Sequence, residues 1–133
     1  MHASAGDPAP PLTRSVLLLD DDPFMLDMLT EMLGMLGTFL VFAETDARRA
    51  LSTLQACAPD LLMCDLALPD MDGVEFLQAA ARLRFAGAVV LLSGMDAGVR
   101  EAAAVLAQAL GLRVVGAFRK PLSIDQLRSI VAS

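Results

Sequence analysis

The chain has few of the residues that build zinc, disulfide or histidine-dependent sites. Its 133 residues include one histidine, His2, and two cysteines, Cys57 and Cys64. A single histidine close to the N-terminus has too few partners for a zinc site or a catalytic triad. Two thiols in a chain without a recognisable export signal favour a reducing compartment over a disulfide framework. We therefore expect a cytoplasmic protein in which both cysteines serve as small apolar filler.

Positive charge and long apolar runs are also scarce. The chain has 10 Lys and Arg against 16 Asp and Glu, which gives a formal net charge of −6. Because nonspecific binding to a phosphate backbone needs clustered Lys and Arg, we expect no nucleic-acid binding by this domain. No apolar run approaches the ~20 residues that a membrane span needs, so we predict no contact with a membrane.

The remaining composition is that of one folded domain. Hydrophobic residues make up 56% of the sequence, which is enough for a single generous core. Residues 1–13 lack both the basic start and the apolar middle of a signal peptide, and we expect a flexible tail there. We assign residues 14–133 to the domain.

Within residues 14–133, short apolar runs alternate with segments of helical periodicity. Runs without polar alternation are typical of strands that are buried on both faces of a parallel sheet. The predicted strands span residues 15–19, 38–43, 61–64, 88–92 and 112–118. The predicted helices span about 23–36, 46–56, 74–83 and 97–110, with a fifth after Ser123. Five repeats of strand and helix predict an α/β fold, a doubly wound parallel sheet with helices on both faces.

Polar residues follow four of these runs, where the strands end. Asp20 and Asp21 follow the first run, Asp65 the third, Ser93 the fourth and Lys120 the fifth. Ligands collect at the carboxyl ends of strands in open α/β sheets. Three carboxylates brought together would repel each other unless a cation lay among them, and oxygen ligands favour Mg²⁺ or Mn²⁺. The pattern predicts Asp65 as a nucleophile, with Asp20 and Asp21 as metal ligands.

Ser93 and Lys120 suit the oxygens of a phosphoryl group. A hydroxyl donates a hydrogen bond to such an oxygen, and an ammonium pairs with its charge. Lys120 is the only lysine in the chain, since every other basic residue is arginine. A compact ammonium and a planar guanidinium are not equivalent at a phosphate, which favours a functional interpretation of Lys120.

The stretches that contain these residues, at 19–23, 65–73, 92–94 and 119–121, resemble the receiver domain of two-component response regulators. The resemblance covers essentially residues 14–133. It implies a flavodoxin-like (βα)5 fold with strand order 2-1-3-4-5. It also implies that Asp65 accepts a phosphoryl group from a histidine kinase or phosphotransfer domain, with Ser93 as the switch hydroxyl and Lys120 as the phosphate-pairing lysine.

The same resemblance implies a metal site. Mg²⁺, or Mn²⁺ in its place, would be held by Asp21, Asp65, the backbone carbonyl of Ala67 and, through water, Asp20. It implies a signalling protein rather than an enzyme, with only self-phosphorylation and self-dephosphorylation expected, and it leaves homodimer formation open.

Two details concern how such a domain would signal. Receivers often carry an aromatic residue three positions before the lysine, but that position is Ala117 here. Phe118 is adjacent and should point to the opposite face of its strand. The segment 93–116 resembles receivers joined to EAL cyclic-di-GMP phosphodiesterase domains, although no such domain is present in these residues.

Two other functions stay open at this point. Asp20-Asp21-Asp22 also resembles the start of a small haloacid dehalogenase-like phosphatase, in which Asp20 would be the nucleophile and Asp22 the acid/base. A receiver-like module that binds partners without being phosphorylated is the second alternative. We assign Asp22, Asp70 and Asp72 to helix caps and turns, because each stands where a helix start or a turn needs a short side chain that accepts a hydrogen bond.

The first predicted helix carries an unusually wide apolar stripe. Four methionines, Met25, Met28, Met32 and Met35, recur at helical spacing together with several leucines. Such a stripe is wider than one buried face needs. It predicts either a partner surface on this helix, extending to the loop after Lys120-Pro121, or four methionines that are all buried.

Overall fold

A computed structural model describes residues 14–69 and 71–132. The expected tail, residues 1–13, lies outside the described residues, as do Asp70 and Ser133. In the described part of the chain, strands and helices alternate five times. The elements are β1 (Arg14–Leu19), α1 (Pro23–Leu36), β2 (Phe39–Glu44), α2 (Ala47–Cys57), β3 (Leu61–Asp65), α3 (Gly73–Arg82), β4 (Ala88–Ser93), α4 (Ala97–Ala109), β5 (Arg113–Arg119) and α5 (Ile124–Val131).

The five strands form one sheet in the order β2-β1-β3-β4-β5, and every neighbouring pair is parallel. This confirms the predicted doubly wound, flavodoxin-like fold. Strands β3 and β4 lie inside the sheet and are buried along their whole length, whereas the edge strands β2 and β5 are only partly buried. Burial on both faces explains why the inner strands are continuous apolar runs.

Helices cover both faces of the sheet and enclose two separate cores. Leu17 and Phe76 belong to the core under α2, α3 and α4, whereas Leu18, Leu29 and Leu127 belong to the core under α1 and α5. The alternation of Leu17 and Leu18 follows from the period of two along a strand. Each fully buried leucine contributes about 1.5–3 kcal/mol of transfer free energy, so the two cores hold the sheet and helices together. No helix in the described ranges is both long and apolar enough to cross a membrane.

The helix starts confirm the predicted caps. Asp22 accepts a hydrogen bond from the backbone of Phe24, and Asp72 accepts one from Glu75. Ser123 and Gln126 form the reciprocal capping box that their spacing predicts. These are local interactions, which is why sequence reasoning locates them.

Element ends differ from the prediction by about one residue. Strand β2 runs from Phe39 to Glu44 rather than over 38–43, and β5 runs from Arg113 to Arg119 rather than over 112–118. Glu44 is a strand residue because it pairs with Leu19 of β1, and Arg119 because it pairs with Ser93 of β4. Strand ends therefore depend on a partner that is distant in sequence.

The apolar stripe of α1 is only partly buried. Met32 is buried and Met25 and Met28 are partly buried, but Met35 is 70% exposed. The alternative in which all four methionines are buried is therefore wrong. Phe24, in the first turn of the same helix, is 74% exposed.

Candidate functional site

The strand order brings the polar strand ends to one edge of the sheet. Asp20 follows β1, Asp65 ends the neighbouring β3 and Ser93 ends β4. One carboxylate oxygen from each of Asp20, Asp21 and Asp65 lies within 4.8 Å of the other two. Residues that are 45 positions apart in sequence, Asp20 and Asp65, thus share one acidic cluster because β1 and β3 are hydrogen-bonded neighbours.

Lys120 lies between two of these carboxylates. Its Nζ is 2.8 Å from Oδ2 of Asp20 and 3.0 Å from Oδ2 of Asp65. The backbone N–H of Lys120 donates to the carbonyl of Ser93 at 3.0 Å, which anchors the residue beside β4. The peptide bond between Lys120 and Pro121 is cis. The lysine side chain extends from the end of β5 towards β1 and β3 and forms an ion pair with both acids.

The carboxylates of Asp20 and Asp65 are buried, whereas Asp21 is exposed. Oδ1 of Asp20 accepts from the backbone N–H of Asp22, and Oδ1 of Asp65 accepts from the backbone N–H of Ala67. Oδ2 of Asp20 has the Lys120 ammonium, at 2.8 Å, as its one partner among the described residues. Two buried carboxylates that share one ammonium keep excess negative charge, which suits a site that takes a further cation.

The surroundings shift the pKa values of Asp65 and Lys120. Burial raises the pKa of Asp65 above its ordinary 3.8 and the charge of Asp20 adds to this, against the lowering effects of the Ala67 N–H and Lys120. Burial lowers the pKa of Lys120, but the hydrogen bonds and charges of Asp20 and Asp65 outweigh it, so that its pKa is raised. Lys120 is therefore a cation at neutral pH.

Ser93 is buried next to this cluster. The register pairs Asp65 with Leu92, so Ser93 lies one residue further towards the carboxyl edge of the sheet. Its Oγ accepts a hydrogen bond from the backbone N–H of Met95 at 2.9 Å. Sequence reasoning missed this contact and that of the Ala67 N–H with Asp65, although Ser and Asp that accept from the N–H two residues later are a local turn pattern that residue type can indicate.

The acidic cluster fits a hard divalent cation. All three side chains offer oxygen atoms, the ligands that Mg²⁺ and Mn²⁺ prefer. Ala67, the predicted carbonyl ligand, follows Asp65 by two residues in an exposed part of the β3–α3 loop. Gly73 packs that loop tightly, since a Cβ at this position would lie 2.8 Å from the carbonyl oxygen of Leu66.

The residues of β5 lie on the faces that strand alternation predicts. Ala117 packs in the core under α2, α3 and α4, whereas Phe118 packs in the core under α1 and α5. The ring of Phe118 lies over Gly116, where a Cβ would come within 2.6 Å of it. No aromatic side chain therefore occupies the position three residues before Lys120.

Two interpretations from sequence need correction. Cys57 is exposed at the end of α2, so the expectation that it fills space in the core is wrong. Cys64 is buried, as expected for a small apolar core residue, and burial raises the pKa of its thiol. Asp22 caps α1 through its Oδ1, which leaves it badly placed for the acid/base role of a haloacid dehalogenase.

A family model described as the response regulator receiver domain matches residues 16–132. This chain belongs to the response regulator receiver family. The receiver family serves two-component signalling, so the haloacid dehalogenase alternative is not retained.

Relatives and solved structures agree with this assignment. Cyclic di-GMP phosphodiesterase RocR of Pseudomonas aeruginosa is 29% identical over 118 residues, covering 88% of this chain and 30% of RocR. A protein-glutamate methylesterase/protein-glutamine glutaminase of Xanthomonas oryzae pv. oryzae is 34% identical over 116 residues, covering 86% of this chain and 31% of that protein. This receiver domain thus spans less than one third of either relative, and their enzymatic names apply to the whole proteins.

Among solved structures, a response regulator from Colwellia psychrerythraea has a TM-score of 0.78 and 31% identity, covering 91% of this chain and 95% of that one. The chemotaxis response regulator CheY4 of Vibrio cholerae has a TM-score of 0.76 at 23% identity, covering 91% of this chain and 98% of its own. The second comparison supports the fold alone.

Proposed function

We propose that this receiver domain is a switch whose Asp65 accepts a phosphoryl group from a histidine kinase or phosphotransfer domain. The observation that carries the proposal is the buried Asp65 carboxylate, which lies within 4.8 Å of Asp20 and Asp21 oxygens and 3.0 Å from Lys120 Nζ. The membership of this chain in the receiver family supports the same role for Asp65.

In the proposed reaction an Asp65 oxygen attacks the phosphorus of a phosphohistidine. The P–O bond forms, the P–N bond breaks and the imidazole leaves with the bonding pair, which a proton then takes up. Lys120 pairs with the added negative charge, and the Ser93 hydroxyl donates a hydrogen bond to a phosphoryl oxygen. Asp20, Asp21, Asp65 and the Ala67 carbonyl would hold Mg²⁺, which supplies charge neutralisation for the phosphoryl oxygens when bound.

Acetyl phosphate labelling tests the proposal. We expect Mg²⁺-dependent uptake of one phosphoryl group, detected by intact-mass spectrometry, and loss of uptake in EDTA. Reduction of the acyl phosphate with borohydride and peptide mapping should place the modification on Asp65. Labelling on Asp20 would support a phosphatase-like nucleophile. No labelling by acetyl phosphate in either Mg²⁺ or Mn²⁺ would support a module that only binds partners.

We propose that the kinase docks on the exposed apolar residues of α1, near the site. Phe24 stands in the first turn of α1, two residues after the cap Asp22, and its side chain is exposed. Exposed apolar patches next to a reactive group usually mark contacts, and this one lies where a phosphodonor protein must approach Asp65.

A substitution at Phe24 separates docking from chemistry. Phe24→Glu is expected to slow phosphotransfer from the cognate kinase by about tenfold, because a charge replaces an apolar anchor. Acetyl phosphate labelling of Asp65 should be unchanged. Val105→Glu, an exposed valine on α4, is the control and should leave both rates at the wild-type value. Equal losses of both reactions in Phe24→Glu would contradict docking at this residue.

We propose that the domain works in the cytoplasm and controls an effector of the EAL type. The resemblance of residues 93–116 to receivers joined to EAL domains supports the effector, as does the relative named as a cyclic di-GMP phosphodiesterase. Phosphodiesterase activity of an EAL effector, measured in the presence of this domain with and without phosphorylation of Asp65, tests the assignment.

A further inference from the structure

An apolar groove runs between α3 and α4 at the carboxyl edge of the sheet. It has a volume of about 390 Å³, and its lining includes Leu66 after β3, Val74 on α3 and Met95 before α4. Val99, Ala102 and Leu106 of α4 form its other wall. The α4 residues recur at intervals of three and four, so they face one side of the helix. Val74, Met95 and Val99 are all exposed, which makes the groove open to solvent along its length.

Among the described residues that line the groove, the one charged residue is the acid Asp72. Asp96 caps α4, with its Oδ1 accepting from the N–H of Val99, and it lies in a neighbouring depression rather than in the groove. Glu75 follows Val74 directly in sequence and is exposed. No Lys or Arg is among the described residues that line the groove. Arg100 donates to the carbonyl of Met95 and lines a neighbouring depression together with Arg119.

Two residues of the groove are joined directly to the phosphorylation site. Leu66 follows Asp65 in the chain, and its N–H donates to Leu92 of β4. The N–H of Met95 donates to Oγ of Ser93. If the Ser93 hydroxyl moves to meet a phosphoryl oxygen, its hydrogen bond to Met95 changes, which would couple phosphorylation to the shape of the groove.

We propose that the α3–α4 groove docks an amphipathic helix of a partner protein, with an apolar edge in the groove and basic residues beside it. A row of apolar residues on a helix matches the apolar lining of the groove. Lys or Arg beside that row would pair with Asp72, and Glu75, exposed next to Val74, adds negative charge nearby. The link to phosphorylation rests on the proposed function of Asp65, whereas binding to the unmodified domain does not.

A designed peptide provides the probe. It is a helix of about 18 residues in which leucines follow one another at alternating intervals of three and four residues, with lysine at the other positions. A counterpart peptide has glutamate in place of every lysine. Binding to the full chain is followed by NMR at near-physiological salt. We expect the largest shifts at Val74, Met95, Val99 and Ala102, and binding of the glutamate peptide that is at least about tenfold weaker.

Two valines of α4 give a matched pair of variants. Val99 lines the groove and is 41% exposed, whereas Val105 lies outside it and is 65% exposed, so aspartate at either position is compatible with folding. Val99→Asp should weaken binding of the lysine peptide by about tenfold, and Val105→Asp should not. Asp72→Asn keeps a good helix cap but removes one charge, and should weaken binding by about threefold.

Four results would overturn parts of the proposal. Equal affinity of the lysine peptide for Val99→Asp and wild type would mean that the peptide binds nonspecifically to the negative charge of the surface and not in the groove. Self-association that Val99→Asp abolishes would make a second copy of the chain the occupant. Shifts centred on another surface would place docking elsewhere. Equal affinity with and without beryllofluoride, in a domain that labels normally at Asp65, would remove the coupling but leave the proposed function intact.

Discussion

Asp65→Asn is expected to lose acetyl phosphate labelling almost completely, by at least about 100-fold, while the folded domain becomes more stable. The amide cannot act as the nucleophile, but it fits the same space. In the metal-free protein it also removes a buried carboxylate whose pKa burial raises, which means that the charged form is disfavoured there. We expect a gain of about 1 kcal/mol in the free energy of unfolding at pH 7. Lys120 keeps its contact with Asp20.

The pH dependence of that gain has a definite sign. A carboxyl group whose folded pKa is raised above 3.8 binds more protons in the native state than in the unfolded state between those two values. Its contribution to stability therefore falls as the pH rises through the raised pKa. The difference in melting temperature between Asp65→Asn and wild type should be largest near neutral pH and should shrink as the pH approaches 3.8.

Melting curves in EDTA and labelling rates in Mg²⁺ provide the measurements. Asp27→Asn, which changes an exposed carboxylate on α1, is the control and should alter neither quantity. Labelling of Asp65→Asn at the wild-type rate would show that Asp65 is not the acceptor. A destabilised Asp65→Asn would show that the ion pair with Lys120 outweighs the burial of Asp65.

Lys120→Met is expected to destabilise the metal-free domain by about 2 kcal/mol. The substitution keeps most of the apolar stem but leaves the carboxylates of Asp20 and Asp65 together without the ammonium that contacts both. Removal of one partner from a buried ion pair typically costs about 3–5 kcal/mol, and the partial exposure of Lys120, 20% of its side chain, reduces that figure. Thermal unfolding in EDTA measures the loss.

Mg²⁺ should restore much of this stability, because a second cation can neutralise the same oxygens and a ligand of the native state raises its stability. The increase in melting temperature with Mg²⁺ should therefore be larger in Lys120→Met than in wild type.

Lys120→Arg is the charge-matched control. It should keep near-native stability because the positive charge beside Asp20 and Asp65 is retained, but lose the phosphorylation-linked change in the NMR spectrum because a planar guanidinium does not pair with a phosphoryl group as a compact ammonium does. Severe unfolding of Lys120→Arg would indicate a structural role instead.

Much of the fold could be predicted from the sequence because its signals are local. Apolar runs indicated the strands, helical spacing indicated the helices, and Asp22, Asp72 and Ser123 capped them where expected. The polar residues at strand ends were predicted to meet because parallel strands in one sheet share a carboxyl edge. Asp20, Asp65 and Lys120 do meet there.

What only the tertiary structure decided is the outcome of contacts between distant segments. The ends of β2 and β5 depend on hydrogen bonds to β1 and β4. The exposure of Met35, against the burial of Met32 on the same helix, depends on which face of α1 packs on the sheet. Likewise, the α3–α4 groove exists because two helices that are separate in sequence pack side by side with small alanines between them. Residue type indicates whether a side chain prefers to be buried or exposed. Its actual exposure, and the free space beside it, are properties of the packed chain.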